Sequence, residues 1–310
     1  MGAFGTSRES TGSWWGGDVP DSRILWLVIA ATSLPVIVGS SMTGLLVSWS
    51  LSRAGVEHTL VGGAEPPVTP RLGESLNECA GPDLWRMLGP EFRDAFVKKN
   101  HISLFDGDFA TGIQIGNPRE DLDYVSARVL RDGKIRIPLG RTLLTHADRT
   151  RIDPLLYRKA IAHPCCRFVQ ALVEQVDFDA DRDRVTRITL DNGVELIEPK
   201  YVFDATGWRG LIAEAAGVGR RWLSSPQRVV WGHERRASRP AGKPPWWEQG
   251  TNLVRLREET DGVRGIAWVI PIKDTLSIGL SVDQGDPTAE GLDAERLYDT
   301  LVAACERRGI

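Results

Sequence analysis

The sequence has almost no excess charge. Its 38 Lys and Arg stand against 41 Asp and Glu, a formal net charge of −3, which argues against a polyanion-binding face and so against nucleic acid as a partner. Cysteine is scarce as well. Cys79, Cys165, Cys166 and Cys305 fall in no C-x-x-C pair, and adjacent Cys165 and Cys166 cannot by themselves surround a metal ion. The expectation is no metal site, no disulfide scaffold and a reduced, cytoplasmic chain. The residues before Arg23 lack the basic start and small-residue cleavage site of a signal peptide. They are rich in Gly, Ser and Trp, and residues 1–33 read as a loose tail.

Long charge-free runs are also missing, with one exception. No charged residue separates Arg23 from Arg53, so Ile24 to Leu51 has the length of a bilayer-crossing helix, about 20 residues. A membrane span therefore competes with a soluble reading. Against it, Pro35 sits near the middle, and Thr32, Ser33, Ser40, Ser41, Thr43, Ser48 and Ser50 interrupt the apolar pattern. The stretch divides into two elements. Leu34 to Val38 reads as a short strand, Gly39 to Gly44 as a turn of small residues, and Leu45 to Ala54 as a helix ended by Gly55. His58 to Val61 is the next strand, closed by Gly62 and Gly63. A hydrophobic fraction of 42% in 310 residues is enough for one large α/β domain with an appended sheet.

The turn Gly39-Ser40-Ser41-Met42-Thr43-Gly44 joins strand to helix. A strand that runs into glycine and then a helix N-terminus can bring unpaired N–H groups and a positive dipole end to a pyrophosphate. Gly39 and Gly44 occupy the first and third glycine places of G-x-G-x-x-G, and Ser41 stands at the second. The acid that usually closes the second strand and binds a ribose hydroxyl is missing, leaving Glu65 as the nearest substitute. The alternative is a strand-to-helix turn with no ligand.

Later segments add to this. Arg71-Leu72-Gly73-Glu74-Ser75-Leu76 follows the second strand, and Ser75 with Glu78 could also form an S-x-x-E capping box. His146-Ala147-Asp148-Arg149 leads into a helix that Asp153 could cap. Val185 to Leu190 and Val194 to Ile197 flank Asp191-Asn192-Gly193, a hairpin signal. The strand Tyr201-Val202-Phe203 then ends in Asp204-Ala205-Thr206-Gly207.

Together, from about Leu34 to Asp283, these blocks resemble the FAD-dependent oxidoreductases of the aromatic monooxygenase, geranylgeranyl reductase and lycopene cyclase type. The Gly73-Glu74-Ser75 segment resembles the "GES" of the flavin-dependent halogenases in particular. The resemblance implies an α/β fold: a Rossmann-like FAD-binding domain with an interleaved, mainly antiparallel β-sheet substrate domain. It assigns 34–80 to the FAD-binding βαβ unit and 81–145 to part of the substrate domain. Residues 146–215 become the FAD part with the hairpin and D-A-T-G, and 216–310 the sheet and a terminal helix from about Leu292. The cofactor implied is FAD, bound by Gly39, Ser41, Gly44, Glu65, Gly73, Glu74, Ser75, Arg149, Asp204, Ala205, Thr206 and Gly207.

Halogenases also use a lysine that captures hypohalous acid. Phe96-Val97-Lys98-Lys99 places Lys99 where that lysine stands in F-x-x-K-x-G-A-x-F-x-W-G, and Gly107 matches the last glycine. His101, Ile102, Leu104 and Asp106 do not match the middle. A solvated helix end is the alternative for Lys98 and Lys99, and burial would separate the two. Ile266-Ala267-Trp268-Val269-Ile270-Pro271 resembles W-x-W-x-I-P without its first ring, which makes Trp268 a tunnel-lining candidate; a plain sheet edge is the other reading. The strand Leu276 to Val282 alternates behind it. Eleven tryptophans, among them Trp208, Trp231, Trp246, Trp247 and Trp268, suit an apolar or aromatic small-molecule substrate. A flavin reductase is the implied protein partner. The family's "G-D-A-A" segment, which closes over the flavin, is not found, so the resemblance also leaves open a truncated or accessory chain with weak FAD binding.

Overall fold

The computed structural model describes residues 34–76, 80–99, 101–106, 108–116, 125–131, 134–142, 145–219, 226–235, 250–256, 265–283, 291 and 293–307. The chain opens with β1 (Val36–Val38), α1 (Met42–Arg53) and β2 (His58–Gly62). β1 and β2 are buried along their whole length, as their apolar, β-branched sequences require, and α1 ends before a left-handed Gly55 at φ 71°. Residues 36–53 are therefore strand, turn and helix rather than one membrane span. Residues 24–33 lie outside the described residues, among which no helix is long and apolar enough to cross a membrane.

β3 (Ser75–Leu76), α2 (Ala80–Leu88), a 3-10 turn over Pro90–Ala95 and β4 (Phe96–Lys98) come next. Ser75 thus lies in a strand, paired with His146, and does not cap α2, which begins five residues later. Four strands follow: β5 (His101–Asp106), β6 (Asp108–Gly116), β7 (Val125–Arg131) and β8 (Lys134–Thr142). β9 (Thr145–Ala147), α3 (Arg149–Ile161) and β10 (Cys166–Gln170) return the chain to the first sheet. The N-cap position of α3 is Asp148, and Asp153 sits inside the helix. The predicted hairpin is β12 (Val185–Leu190) with β13 (Glu195–Ile197), joined by β11 (Val173–Phe178). β14 (Val202–Asp204) and α4 (Leu211–Ala215) precede β15 (Gln227–Arg235), β16 (Gly250–Leu256), β17 (Gly265–Ile272), β18 (Thr275–Asp283) and α5 (Ala294–Arg307).

The first sheet is parallel, with strand order β10-β2-β1-β14. Alternation along β1 and β2 divides its side chains between two cores. Ile37 and Leu60 point toward α1, α2 and α3, meeting Leu45, Leu84, Leu88, Phe92, Ile152 and Leu156. Val36, Val38 and Val61 point the other way, toward Ile188, Leu190, Leu196 and Ile212 of the β11–β13 ribbon and α4. Burying each such side chain contributes about 1.5–3 kcal/mol. The order reverses direction at β1, so the C-terminal ends of β1 and β14 flank a topological switch point, where open parallel sheets bind ligands.

The second large sheet has the order β15-β18-β17-β16-β5-β6-β7-β8. Only β16 and β5 run parallel in it, so it is mainly antiparallel. One face of its β15–β18 end is covered by α5 through Leu297 and Leu301. Gly232 makes that packing possible, since a Cβ there would stand 2.5 Å from the Tyr298 hydroxyl oxygen. The opposite face meets the small β3-β9-β4 sheet, where Ser75 bonds Thr251, His146 bonds the Pro271 carbonyl and Glu74 bonds His233.

Candidate functional site

At the switch point the backbone of the β1–α1 turn lies directly against the backbone after β14. Gly39 adopts φ 111°, and a Cβ on it would stand 2.5 Å from the Ala205 carbonyl oxygen. At Gly44 a Cβ would overlap the Gly39 carbonyl, and at Gly62 one would overlap Ser40. Gly62, read from sequence only as a strand end, is thus what lets Ser40 pack over β2. Ser41 occupies the N-cap position with extended backbone, yet its hydroxyl donates to the Ala205 carbonyl at 3.0 Å and accepts no capping hydrogen bond from α1. No acid lies in the first turn of α1. The helix therefore presents first-turn N–H groups that no capping side chain takes up, with the positive end of its dipole, as a phosphate group requires.

The Asp204-Ala205-Thr206-Gly207 turn is held from within. The Asp204 carboxylate accepts from the Thr206 hydroxyl at 2.5 Å, the Thr206 N–H at 3.1 Å, and the Ile212 and Ala213 N–H groups at 2.9 and 3.2 Å. Burial alone pushes this carboxyl up, but the hydrogen bonds from Thr206, Ala213 and Ile212 outweigh it and hold the group below the usual carboxylate range. Asp204 ties the start of α4 to β14. Thr206 accepts from the Leu211 N–H at 2.9 Å. Gly207 is left-handed at φ 67°, with open space where a Cβ would project.

Three predicted cofactor contacts are occupied by partners within the chain. Glu65 pairs with Arg158 at a half-exposed surface position. Arg149 makes a bidentate pair with buried Asp153 at 2.7 and 2.8 Å, and donates to the Leu72 carbonyl at 2.7 Å. It thereby shapes the loop at Gly73, whose φ is 103°. Glu74, buried, lies 2.7 Å from His233 Nε2.

Lys99 is 0% exposed, so it is no solvated helix end; it follows β4 directly. Its ammonium donates to the Leu76 carbonyl at 2.6 Å and to the Ser75 hydroxyl at 3.0 Å. Ser75 in turn lies 2.8 Å from the Thr251 hydroxyl, which lies 3.0 Å from His146 Nε2. Four segments far apart in sequence meet here. Thr251 carries no local signal, and His146 was visible only as a letter beside Asp148 and Arg149.

The same sheet face is apolar farther along. Leu253, two residues from Thr251 and so on its face, is in register with Trp268, which is in register with Gly279 and, beyond it, Trp231. A Cβ on Gly279 would fall inside the Trp268 indole, so that ring lies flat across β18. Trp231, Ile266 and Val229 continue the face at 41%, 44% and 39% exposure. Trp208 is 82% exposed. Gly107, Trp246 and Trp247 lie outside the described residues.

The arrangement thus joins an anion-ready helix terminus and a close-packed glycine turn to a sheet face with a buried lysine and an aromatic surface. Its fold is that of several solved proteins. A flavin-dependent brominase superposes with TM-score 0.64 at 22% identity, covering 88% of this chain and 63% of its own. A flavin-dependent halogenase from Xanthomonas campestris gives TM-score 0.63 at 18% identity, with 87% and 58% covered. The Diels-Alderase PyrE3 of pyrroindomycin biosynthesis gives 0.58 at 20% identity, with 90% and 52% covered. The chain therefore spans about three-fifths of the length of the two halogenating enzymes. No curated protein sequence matches it. Residues 33–230 match the FAD binding domain family. With that match over more than half of its length, the chain belongs to the FAD binding domain family, and its cofactor is FAD.

Proposed function

We propose that this protein is a halogenase-type flavoenzyme that transfers an oxidised halogen to an apolar or aromatic small molecule, with Lys99 as the halogen-carrying amine. The observation that supports this is the wholly buried Lys99, fixed on the Gly73-Glu74-Ser75 segment and on Leu76, beside the sheet face that carries Trp268 and Trp231. When bound, reduced FAD supplies two electrons to oxygen and so the oxidising equivalent that turns halide into hypohalous acid. Gly39, Gly44 and the first turn of α1 would hold its phosphates, and the Asp204–Gly207 turn would lie alongside. Neutral Lys99 then attacks the halogen: an N–halogen bond forms, the O–halogen bond breaks, and the amine proton leaves with the hydroxide as water. The substrate carbon takes the halogen from nitrogen and gives up a proton, which regenerates the amine. Trp268, Trp231 and Ile266 would hold the flat or greasy substrate and exclude water from the oxidant. A flavin reductase in the cytoplasm would supply the reduced cofactor.

One observation favours a second reading. Ile266 stands where the resembled motif has its first tryptophan, so the same platform could serve hydroxylation. The test is a coupled assay with FAD, a flavin reductase, bromide and a set of phenols, pyrroles and indoles, read by mass spectrometry. Bromide-dependent gain of bromine is expected; a product gaining oxygen, with or without bromide, would favour hydroxylation instead.

A further inference from the structure

The hydrogen-bond chain that starts at Lys99 has a direction, and one carbonyl fixes it. His146 is buried, with Nδ1 3.1 Å from the Pro271 carbonyl oxygen and Nε2 3.0 Å from the Thr251 hydroxyl. A carbonyl oxygen can only accept, so Nδ1 carries the hydrogen and, in the neutral ring, Nε2 is an acceptor. Thr251 must then donate to His146, which leaves its oxygen to accept from Ser75. Ser75, having donated to Thr251, accepts from the ammonium of Lys99. Every hydrogen in the chain points from Lys99 toward His146.

We infer that Ser75, Thr251 and His146 form a proton relay for Lys99, in which His146 Nε2 is the terminal acceptor. The inference rests on Lys99 being the reacting amine. An ammonium has no lone pair and must shed a proton before its nitrogen attacks an electrophile. Lys99 is 0% exposed, so bulk water is not at hand to take that proton. In the relay, one Nζ–H passes to Ser75 as the Ser75 proton passes to Thr251 and the Thr251 proton passes to His146 Nε2. Lys99 becomes a neutral amine, His146 an imidazolium that still donates from Nδ1 to Pro271, and the single positive charge is conserved. The two hydroxyls end reversed, ready to return the proton when the amine is regenerated. An ordinary amine holds its proton more tightly than an imidazole, so transfer accompanies attack. Among the described residues, Glu74 and His233 form an ionisable pair beside this chain. They are hydrogen-bonded to each other. His146 is accordingly a positioning residue, acting on the proton of Lys99 and not on substrate.

Cyanate tests this without flavin, halide or substrate, because it carbamylates only amines that have lost a proton. The full chain is treated at one neutral pH, and peptide mass spectrometry compares labelling at Lys99 with that at the partly exposed Lys159. His146→Gln keeps a donor for Pro271 and an acceptor for Thr251 but cannot hold the proton; Thr251→Val interrupts the chain. Both variants are expected to slow Lys99 labelling at least about tenfold relative to Lys159. Wild-type labelling of Lys99 in either variant, or none at Lys99 in the wild type, overturns the relay. Slowed labelling in a protein that never halogenates would reject the role given to Lys99 above and leave the relay standing.

Discussion

At the β1–α1 turn, contact is made backbone to backbone. Gly39 lies on the Ala205 carbonyl, Gly44 lies on the Gly39 carbonyl, and the polar side chains nearby hold the chain itself: Ser41 on Ala205, Asp204 on α4. At the junction of β3, β9 and β16 the backbone is ordinary strand, and the side chains make the geometry, from Lys99 through Ser75 and Thr251 to His146. The first region fails when atoms are added; the second fails when a donor or an acceptor is removed. A ligand site built from amides is specified by shape, whereas a reactive amine needs a defined proton inventory around it.

The sharpest way to break the first region is Gly44→Val. With no room for even a Cβ, the turn must open, and a loss of more than about 4 kcal/mol in denaturant-measured stability is expected together with loss of FAD binding. Unchanged FAD absorbance after desalting would show that the turn does not depend on this contact. Next comes Arg149→Met, which leaves the buried Asp153 carboxylate with Arg71 at 3.9 Å as its remaining ion pair among the described residues. About 3 kcal/mol of stability should go. If FAD affinity also falls in proportion, Arg149 acts by shaping the Gly73 loop; if affinity falls with stability intact, it touches the cofactor.

Asp204→Ala should cost about 2 kcal/mol at pH 7, because two N–H groups at the start of α4 lose their acceptor. Its folded carboxyl is held below the usual range, so its contribution is complete above the unfolded value of about 3.9. That contribution is lost as pH falls through the lower folded value. Wild-type and variant denaturation curves should therefore converge in acid, and a constant gap down to pH 2 would contradict the assignment. The smallest effect belongs to Glu65→Gln. Its pairing with Arg158 is solvent-exposed, so less than about 1 kcal/mol is expected and FAD affinity should hold. A clear weakening of FAD binding would restore Glu65 as the ribose contact.

The same contrast explains what could be read in advance. Strand β1, the glycine turn, α1 and its end at Gly55 were legible because each follows from neighbours in sequence: a β-branched run, small residues, a helical stretch and a left-handed glycine. The hairpin before β14 was legible for the same reason, through Asn192-Gly193. Ser75 was ambiguous. Its spacing to Glu78 suits a cap, and only pairing with β9 places it in a strand with its hydroxyl between Lys99 and Thr251. Glu65 and Arg149 carried the right charge for a nucleotide site, but sequence does not show which charges satisfy one another. Thr251 and His146 were invisible as partners because 105 residues separate them, and they meet only where the β3-β9-β4 sheet packs on the eight-stranded sheet.

Whether the Lys99 amine carries the halogen is decided by a halogenation assay of Lys99→Met, made with FAD in saturating amount and its visible absorbance checked first. Methionine keeps the length and apolar stem and removes the amine. This variant is expected to bind FAD, consume oxygen with the reductase, and yield no halogenated product. Halogenated product at the wild-type rate from a flavin-loaded Lys99→Met protein would contradict that role for Lys99.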